Sequence, residues 1–325
     1  MTSSTGVEAH AGTRDSAIGP PKSTGRTGDR LFAGAARGSS LTVLAIVAAI
    51  AAFLVWKAIP ALQDNEASFL TSQEWNPNAS PPRFGIAQLA FGTVMSSLLA
   101  MIIATPVAIG IALFISFYSP RRLASGLGYI VDLLAAVPSI VYGLWGLIFL
   151  SQHMGTISSA LNAVFGWIPL FGGSPGKNSI FTAGVVLAIM ILPIISSISR
   201  EVFLQVPQAN VEASLALGAT RWEMIRMSVL PYGRSGMIGA SMLGLGRAMG
   251  ETIAVAMVLT FVPGINWQLL ENGGATFAAN IANSFAEATV TGRGALIASG
   301  LVLFVITLVV NMAARAVVAR RKEFV

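Results

Sequence analysis

The stretch REVFLQVPQANVEASLALGATRWEMIRMSVLP, Arg200–Pro231, decides how the rest of this sequence is interpreted. It lies between two apolar runs of membrane-spanning length, residues 179–199 and 235–262. Two apolar groups in it are interleaved with basic residues, and Gly218 stands between them. The pattern predicts two short helices joined by a turn at this glycine, a common residue just past helix ends. From physics alone, a loop lying on the membrane surface and a docking surface for a partner are both compatible with it.

The composition is that of an integral membrane protein. Of the 325 residues, 54% are hydrophobic and only 10% are charged, whereas soluble domains are about 25% charged. The absence of cysteine excludes disulfides, thiolate metal sites and thiol catalysis. The two histidines, His10 and His153, are far apart in the sequence, so we expect no histidine metal site.

Six apolar runs predict six transmembrane helices, since each is long enough to cross the bilayer and satisfies its own backbone hydrogen bonds. The runs are 38–56, about 92–118, about 132–150, 179–199, 235–262 and 294–318. The segment GTISSALNAVFGWIPLFGGSPGKN, residues 155–178, is expected to be an external loop. Residues 1–38 are rich in Gly, Ser, Thr and Arg, and we expect a disordered cytoplasmic tail there. Residues 39–325 then form the transmembrane domain, with its long interior loop at about 200–233.

The distribution of basic residues predicts the orientation. Of the 20 Lys and Arg residues, 15 fall on the side that holds both termini and the long loop, four fall on the other side, and Arg247 lies in a span. Because cytoplasmic segments carry an excess of Lys and Arg, both termini are predicted to be cytoplasmic.

One segment imitates a nucleotide-binding motif. FGGSPGKNS, residues 171–179, has the spacing of a phosphate-binding loop, but the motif needs glycine at Phe171 and Ser or Thr at Asn178. We therefore expect no ATP site in this chain.

Three ionisable residues, Asp132, Arg247 and Glu251, lie within the predicted spans. A charge at the bilayer centre costs roughly 2.5–3.5 kcal/mol on insertion scales, so such residues mark a pathway or a buried pair. For Asp132, near a helix end, a structural ion pair is the favoured interpretation. On a continuous helix, Arg247 and Glu251 would share one face. Either they form a structural pair, or they line a polar path in which the arginine binds an oxyanion and Glu251 is its resting partner.

Small residues recur every four positions in the same predicted span. The stripe consists of Gly236, Ala240, Gly244 and Ala248. Small residues allow helix backbones to approach closely in lipid, either within the chain or against a partner.

The loop resembles a known family motif. EASLALG followed by SVLP resembles the EAA loop of ABC-importer permeases, with Ser214 and Ser228 as the two departures from it. The resemblance implies an all-α, type I ABC importer permease (MetI-like) fold, in which this loop is a coupling helix seated in a cleft of a separate ATPase subunit. The residues that match the motif are Glu212, Ala213, Gly218, Leu230 and Pro231, and the first three are the expected coupling residues.

Further stretches resemble the permease subunits of the high-affinity phosphate importer, over about residue 40 to the end. They are AVPSIVYGLWGL (136–147), WNP (75–77) followed by FGTVMSS (91–97), and GRAMGETIAVAMV (246–258). The last is closer to the PstC-like than to the PstA-like subunit. This resemblance implies a bacterial cytoplasmic membrane, and it implies a transport role for Arg247 and Glu251.

The same resemblance implies a set of partners. They are a PstA-like second permease, a dimer of PstB-like ATPase subunits and an extracytoplasmic PstS-like phosphate-binding protein. ATP and Mg would be bound by the ATPase, with no cofactor in this chain, and no nucleic acid is expected.

Three alternatives stay open at the level of sequence. A permease for another oxyanion, sulfate or molybdate, would use an arginine equally well. A secondary transporter would show internal repeats and no coupling loop, whereas this sequence has an EAA-like loop and no obvious repeat. A sensory or scaffold role in phosphate signalling is neither indicated nor excluded.

Overall fold

The computed structural model describes residues 27–320, and most of them are helical. The helices are α1 Thr27–Asp64, α2 Ala87–Leu113, α3 Arg121–Ala135, α4 Ser139–Trp145, α5 Ser151–Phe165, α6 Ile180–Leu204, α7 Gln208–Ala216, α8 Arg221–Met224, α9 Leu230–Met249, α10 Ile253–Val258, α11 Phe277–Ser284 and α12 Val290–Arg320. Turns of π-helix, Phe114–Tyr118, Gly146–Leu150 and Ile225–Val229, follow α2, α4 and α8. The antiparallel strands β1 (Trp75–Asn76) and β2 (Arg83–Phe84) form a small hairpin. The chain divides into two units, residues 1–51 and 52–325, and the second holds every site discussed below.

Five helical stretches among the described residues are long and apolar enough to cross a membrane. They are Gly28–Asp64, Ala87–Tyr118, Ser139–Phe165, Ile180–Leu204 and Val290–Ala316, and each overlaps one of the predicted spans. The remaining predicted span, 235–262, is not one continuous helix, because α9 ends at Met249 and α10 begins only at Ile253. That part of the prediction is wrong, and the chain is a multi-pass membrane protein with a broken helix in this position.

Two boundaries also differ from the sequence-based prediction. The stretch expected to be an external loop from Gly155 onward is helical as far as Phe165, and the Ser159 hydroxyl donates to the Gly155 carbonyl at 2.8 Å. The expected disordered tail, 1–38, is helical from Thr27, and the rest of it lies outside the described residues.

Alanines and glycines let α2 and α6 pack closely. Ala100, Ala104 and Ala108 recur every four residues along α2 and are 0% exposed. On α6, a Cβ added to Gly184 would lie 2.9 Å from the Cβ of Leu99. Small residues at such spacing allow the backbone approach on which membrane helix association depends.

The stripe of small residues on α9 packs against α6 within the chain. A Cβ on Gly244 would lie 2.7 Å from Cδ1 of Ile195, and one on Gly236 would collide with Val202. Ala240 and Ala248 are buried on the same face. Of the two packing arrangements that the sequence left open, the structure therefore shows the intrachain one for this stripe.

The segment between α10 and α11, residues 259–276, is tied to the start of α2. The Gly264 amide donates to the Gln88 side-chain oxygen at 3.0 Å, and the Phe277 amide donates to the Thr93 hydroxyl at 3.1 Å. These bonds fix the chain beyond the broken helix.

At the other end of the molecule, α3 is held to α6 by an ion pair. Arg200 donates to Asp132 at 3.2 Å, and the Ser197 hydroxyl donates to the second oxygen of the same carboxylate at 2.7 Å. This confirms the structural interpretation of Asp132.

Candidate functional site: the broken helix and the loop helices

The break between α9 and α10 is built by Gly250 and Glu251. The Gly250 amide donates to the Gly246 carbonyl at 3.2 Å, which closes the last turn of α9. Glu251 is only 8% exposed, and its Oε1 accepts from the amide of Ala254 at 3.2 Å. A carboxylate that accepts from a first-turn amide stabilises a helix start, so Glu251 caps α10.

Arg247 and Glu251 do not form an ion pair in this structure. The ion pairs found within residues 27–320 join Arg83 to Glu74, and Arg200 to Asp132 and Glu201. Arg247 is exposed, whereas Glu251 is buried beyond the break. Because the helix is interrupted between them, a spacing of four residues no longer places both side chains on one face. Glu251 is therefore not the partner of Arg247 here.

Arg247 lines a cavity of about 1190 Å³ between α9 and α12. Its polar lining consists of Ser235, Arg247, Asn311 and Arg315, and aliphatic side chains, methionine and glycine complete it. None of the described residues that line it is acidic. A Cβ on Gly246 would meet nothing within 4 Å, so open space adjoins the residue before the arginine. The cavity therefore offers cationic donors with no anionic competitor among its described lining residues.

Glycines of the AVPSIVYGLWGL stretch hold α10 in place. A Cβ on Gly143 would lie 2.7 Å from the Cα of Ala254, and one on Gly146 would lie 2.8 Å from Cγ2 of Val186 and 3.0 Å from Cγ2 of Val258. Since each glycine is in contact with a neighbouring helix, this stretch supports the helix that Glu251 caps.

The long loop folds as the sequence predicts, with α7 and α8 joined at Gly218. Gly218 has φ +84°, in the left-handed region where a side chain is disfavoured. Thr220 caps α8, since its hydroxyl accepts from the amide of Glu223 at 3.3 Å and the Glu223 carboxylate accepts from the Thr220 amide at 2.8 Å. The Thr220 hydroxyl also donates to the Glu223 carboxylate, at 2.8 Å. The bonds that the carboxylate accepts, first from the Thr220 amide and then from its hydroxyl, lower the pKa of Glu223.

The loop helices present an exposed surface. Glu212 and Ala213 are exposed on α7, and Ala213 and Gly218 line a concavity of about 510 Å³. Leu217 is 89% exposed and Trp222 is 57% exposed. Glu212 lies within α7 and caps neither loop helix, since α8 is capped by Thr220 and Glu223. Exposed apolar groups beside a concavity are typical of a binding surface.

The two residues that depart from the EAA pattern contact each other. The hydroxyls of Ser214 and Ser228 are 2.6 Å apart, and Ser214 also donates to the Asn210 carbonyl at 2.9 Å. The pair joins α7 to the π-helical turn before α9, so both departures serve one contact.

Two features of the site were missed at the level of sequence. The break in the fifth predicted span had a signal in Gly250, a poor helix former, followed two residues later by Thr252, a common N-cap type. The lining role of Arg315 had no signal, because a basic residue near a helix end is equally typical of a topology determinant.

Membrane-length helices, a broken helix whose arginine lines a cavity, and two exposed loop helices define a multi-pass membrane permease. The chain belongs to the family described as the binding-protein-dependent transport system inner membrane component, whose profile matches residues 104–323.

Similar proteins include two described as phosphate transport system permeases. Over 300 residues the chain is 49% identical to the "Phosphate transport system permease protein PstC 2" of Mycobacterium tuberculosis, covering 90% of this chain and 92% of that protein. It is 45% identical over 291 residues to the PstC protein of Xylella fastidiosa, covering 87% and 89%.

A solved structure supports the fold. It is the inward-facing MetNI methionine ABC transporter, with a TM-score of 0.54 and 14% identity over 72% of this chain and 94% of that one. At this identity the likeness concerns the fold alone, and it supports the predicted MetI-like permease fold.

Proposed function

We propose that this chain is the PstC-like permease subunit of an ATP-driven importer of inorganic phosphate. The observation that carries the proposal is the cavity between α9 and α12, in which Arg247 stands with no acidic neighbour among the described lining residues. A guanidinium presents a planar set of donors that matches phosphate oxygens. The names of the related proteins support phosphate as the substrate.

In the proposed assembly, a second, PstA-like permease completes the path. A PstS-like phosphate-binding protein docks at the hairpin end, outside the cell, and a dimer of PstB-like ATPase subunits docks on the loop helices. This chain then lies in a bacterial cytoplasmic membrane with both termini and the loop inside. The 15-to-4 division of basic residues supports this orientation.

Arg247 is proposed to contact phosphate during passage, and Glu251 to hold the break that ends α9 just beyond this arginine. Glu251 is buried and bonded to α10, so its part in the path is to position the backbone next to the cation. A transport site must bind weakly enough to release, and an exposed arginine in an open cavity meets this requirement better than a closed cage.

ATP hydrolysis is proposed to occur on the partner ATPase with its own Mg, and this chain to be a non-enzymatic subunit. Glu212, Ala213 and Gly218 are proposed to be in the surface that the ATPase contacts. The exposure of Leu217 and Trp222 beside them supports a partner surface.

The test is uptake of labelled phosphate by vesicles that hold matched amounts of the assembled complex. Arg247→Gln keeps a polar side chain but removes the cation, and uptake should fall by at least about tenfold, since hydrogen bonds to charged groups contribute about 1.5–3 kcal/mol. Arg121→Gln, which removes a basic residue that does not line the cavity, should leave uptake unchanged.

Competition identifies the substrate, and co-purification identifies the partners. Unlabelled phosphate should suppress uptake, whereas equal sulfate or molybdate should not. If sulfate or molybdate suppresses uptake and phosphate does not, the chain is a permease for that oxyanion and the assignment of phosphate is wrong. A second permease and an ATPase should co-purify with the chain, and uptake without any ATPase would support a secondary transporter.

A further inference from the structure

We infer that Arg315 is a second anion-binding residue of the same path, a relay site through which phosphate leaves Arg247 on the loop side of the membrane. The inference rests on the proposed function and extends it to a residue on a different helix. At the level of sequence, Arg315 is one of the basic residues that set the topology, and the structure gives it a place in the cavity.

The placement follows from the course of the two helices. α9 leaves the loop at Leu230, near the end of α6, where a Cβ on Gly233 would lie 3.1 Å from Phe203. α12 starts at the hairpin end, where Thr289 is bonded to Asn78, and it therefore runs back towards the loop end. Arg315, late in α12, accordingly lies towards the loop end of the cavity.

Arg247 lies at the far end of the same cavity. It is 12 residues beyond Ser235, the first lining residue of α9, which corresponds to about 18 Å along a helix. The two guanidinium groups therefore mark two levels of one cavity, one deep and one near the loop end.

The chemistry of the lining supports a path for an anion between these levels. Asn311, one helical turn before Arg315, and Ser235 on α9 add neutral hydrogen-bonding groups. Two cations in a cavity whose other lining residues are neutral and mostly apolar concentrate anions by focusing the field. A second binding residue also divides release from Arg247 into two smaller steps. Several weak binding sites along a path allow an ion both to bind and to leave quickly.

The absence of cysteine from this chain makes a direct test practical. Ser235→Cys, in the complex reconstituted with cysteine-free partners, places one thiol in the cavity. The measurement is the modification rate by an anionic methanethiosulfonate relative to a neutral one, in vesicles of zwitterionic phosphatidylcholine with the loop side accessible. The ratio reports the local potential and cancels any change in thiol reactivity.

The Arg315→Gln variant should lower this ratio by about threefold to tenfold, up to the lower limit of the roughly 10- to 1000-fold range for electrostatic focusing, because Arg247 remains in the cavity. It should also lower phosphate uptake several-fold, and inorganic phosphate should protect the thiol less well than in the parent. Arg315→Lys should retain most of the ratio and the uptake. Arg122→Gln, which removes a basic residue that does not line the cavity, is the matched control and should change neither.

Arg315→Gln could leave both the ratio of modification rates and phosphate uptake unchanged while Arg247→Gln still loses uptake. That result would overturn the relay and leave the proposed function standing. Failure of inorganic phosphate to protect the parent thiol, with uptake intact, would also overturn the relay. Failure of the chain without the cysteine substitution to take up phosphate at all would instead overturn the proposed function. A phosphate group of a lipid could also pair with Arg315. If the effect of Arg315→Gln appears only in vesicles that contain anionic lipid, the residue binds headgroups and the relay is wrong.

Discussion

Gly218 provides the sharpest test of the loop as a coupling element. Its φ of +84° lies in the left-handed region, and a Cβ built there meets nothing within 4 Å. The penalty for a side chain is therefore one of backbone conformation alone, about 1–2 kcal/mol for an L-residue. In Gly218→Ala the free loop is expected to relax away from this turn, and docking of the ATPase must then restore it.

The expected consequence is a loss of ATPase affinity of about 5- to 30-fold for Gly218→Ala, the equivalent of that penalty. Gly218→Val should lose more, because a β-branched residue is a stronger outlier at positive φ. Gly218→Asn should lose less, since asparagine is the other residue common at this position.

The assay is titration of the ATPase onto membranes with equal amounts of each variant, followed by phosphate uptake. Gly126→Ala is the matched control, because Gly126 lies in helix α3 and also has nothing within 4 Å of an added Cβ. It should keep full affinity. Equal affinity for Gly218→Val and the parent, with normal uptake, would refute the coupling role of this turn.

Three further predictions concern the charged groups. The double variant Arg247→Gln with Glu251→Gln should transport no better than Arg247→Gln alone, because the two residues are not paired here; near-normal uptake in the double variant would contradict the path. Asp132→Asn should lower the stability of the complex by about 1 kcal/mol, measured by thermal unfolding, because the carboxylate is about half exposed and screening reduces the contribution of its ion pair; an unchanged unfolding temperature would contradict a stabilising role. The contribution of the Glu223 carboxylate to the α8 cap should be complete above the ordinary glutamate pKa of about 4.3 and be lost as the pH falls through its lowered pKa. The measurement is hydrogen exchange of the α8 amides as a function of pH. In Glu223→Gln, which has no carboxyl group at this position, the pH dependence of the cap should disappear.

Local chemistry explains what the sequence determined by itself. Five of the spans were predictable because a run of apolar residues must satisfy its backbone in lipid as a helix, wherever it packs. The loop was predictable for a similar reason, since the turn at Gly218 and the alternation of apolar and basic residues depend on near neighbours. For Asp132 the sequence predicted a structural ion pair from its position near a helix end, but the partner, Arg200 of α6, is 68 residues away and only the packing of α3 against α6 supplies it.

Tertiary structure decided the site. Gly250 and Thr252 give a local signal for the break, but where α10 lies after it depends on the packing of Ala254 against α4 and of Val258 against Gly146, and no local pattern contains those contacts. The break separates Arg247 from Glu251, although their spacing alone places them together. Arg315 joins Arg247 only because α9 and α12 run side by side in opposite directions, which brings residues 68 positions apart in sequence into one cavity. Charge spacing along a chain predicts neighbours on one helix, whereas a cavity between helices is defined by the packing of surfaces that are remote in sequence.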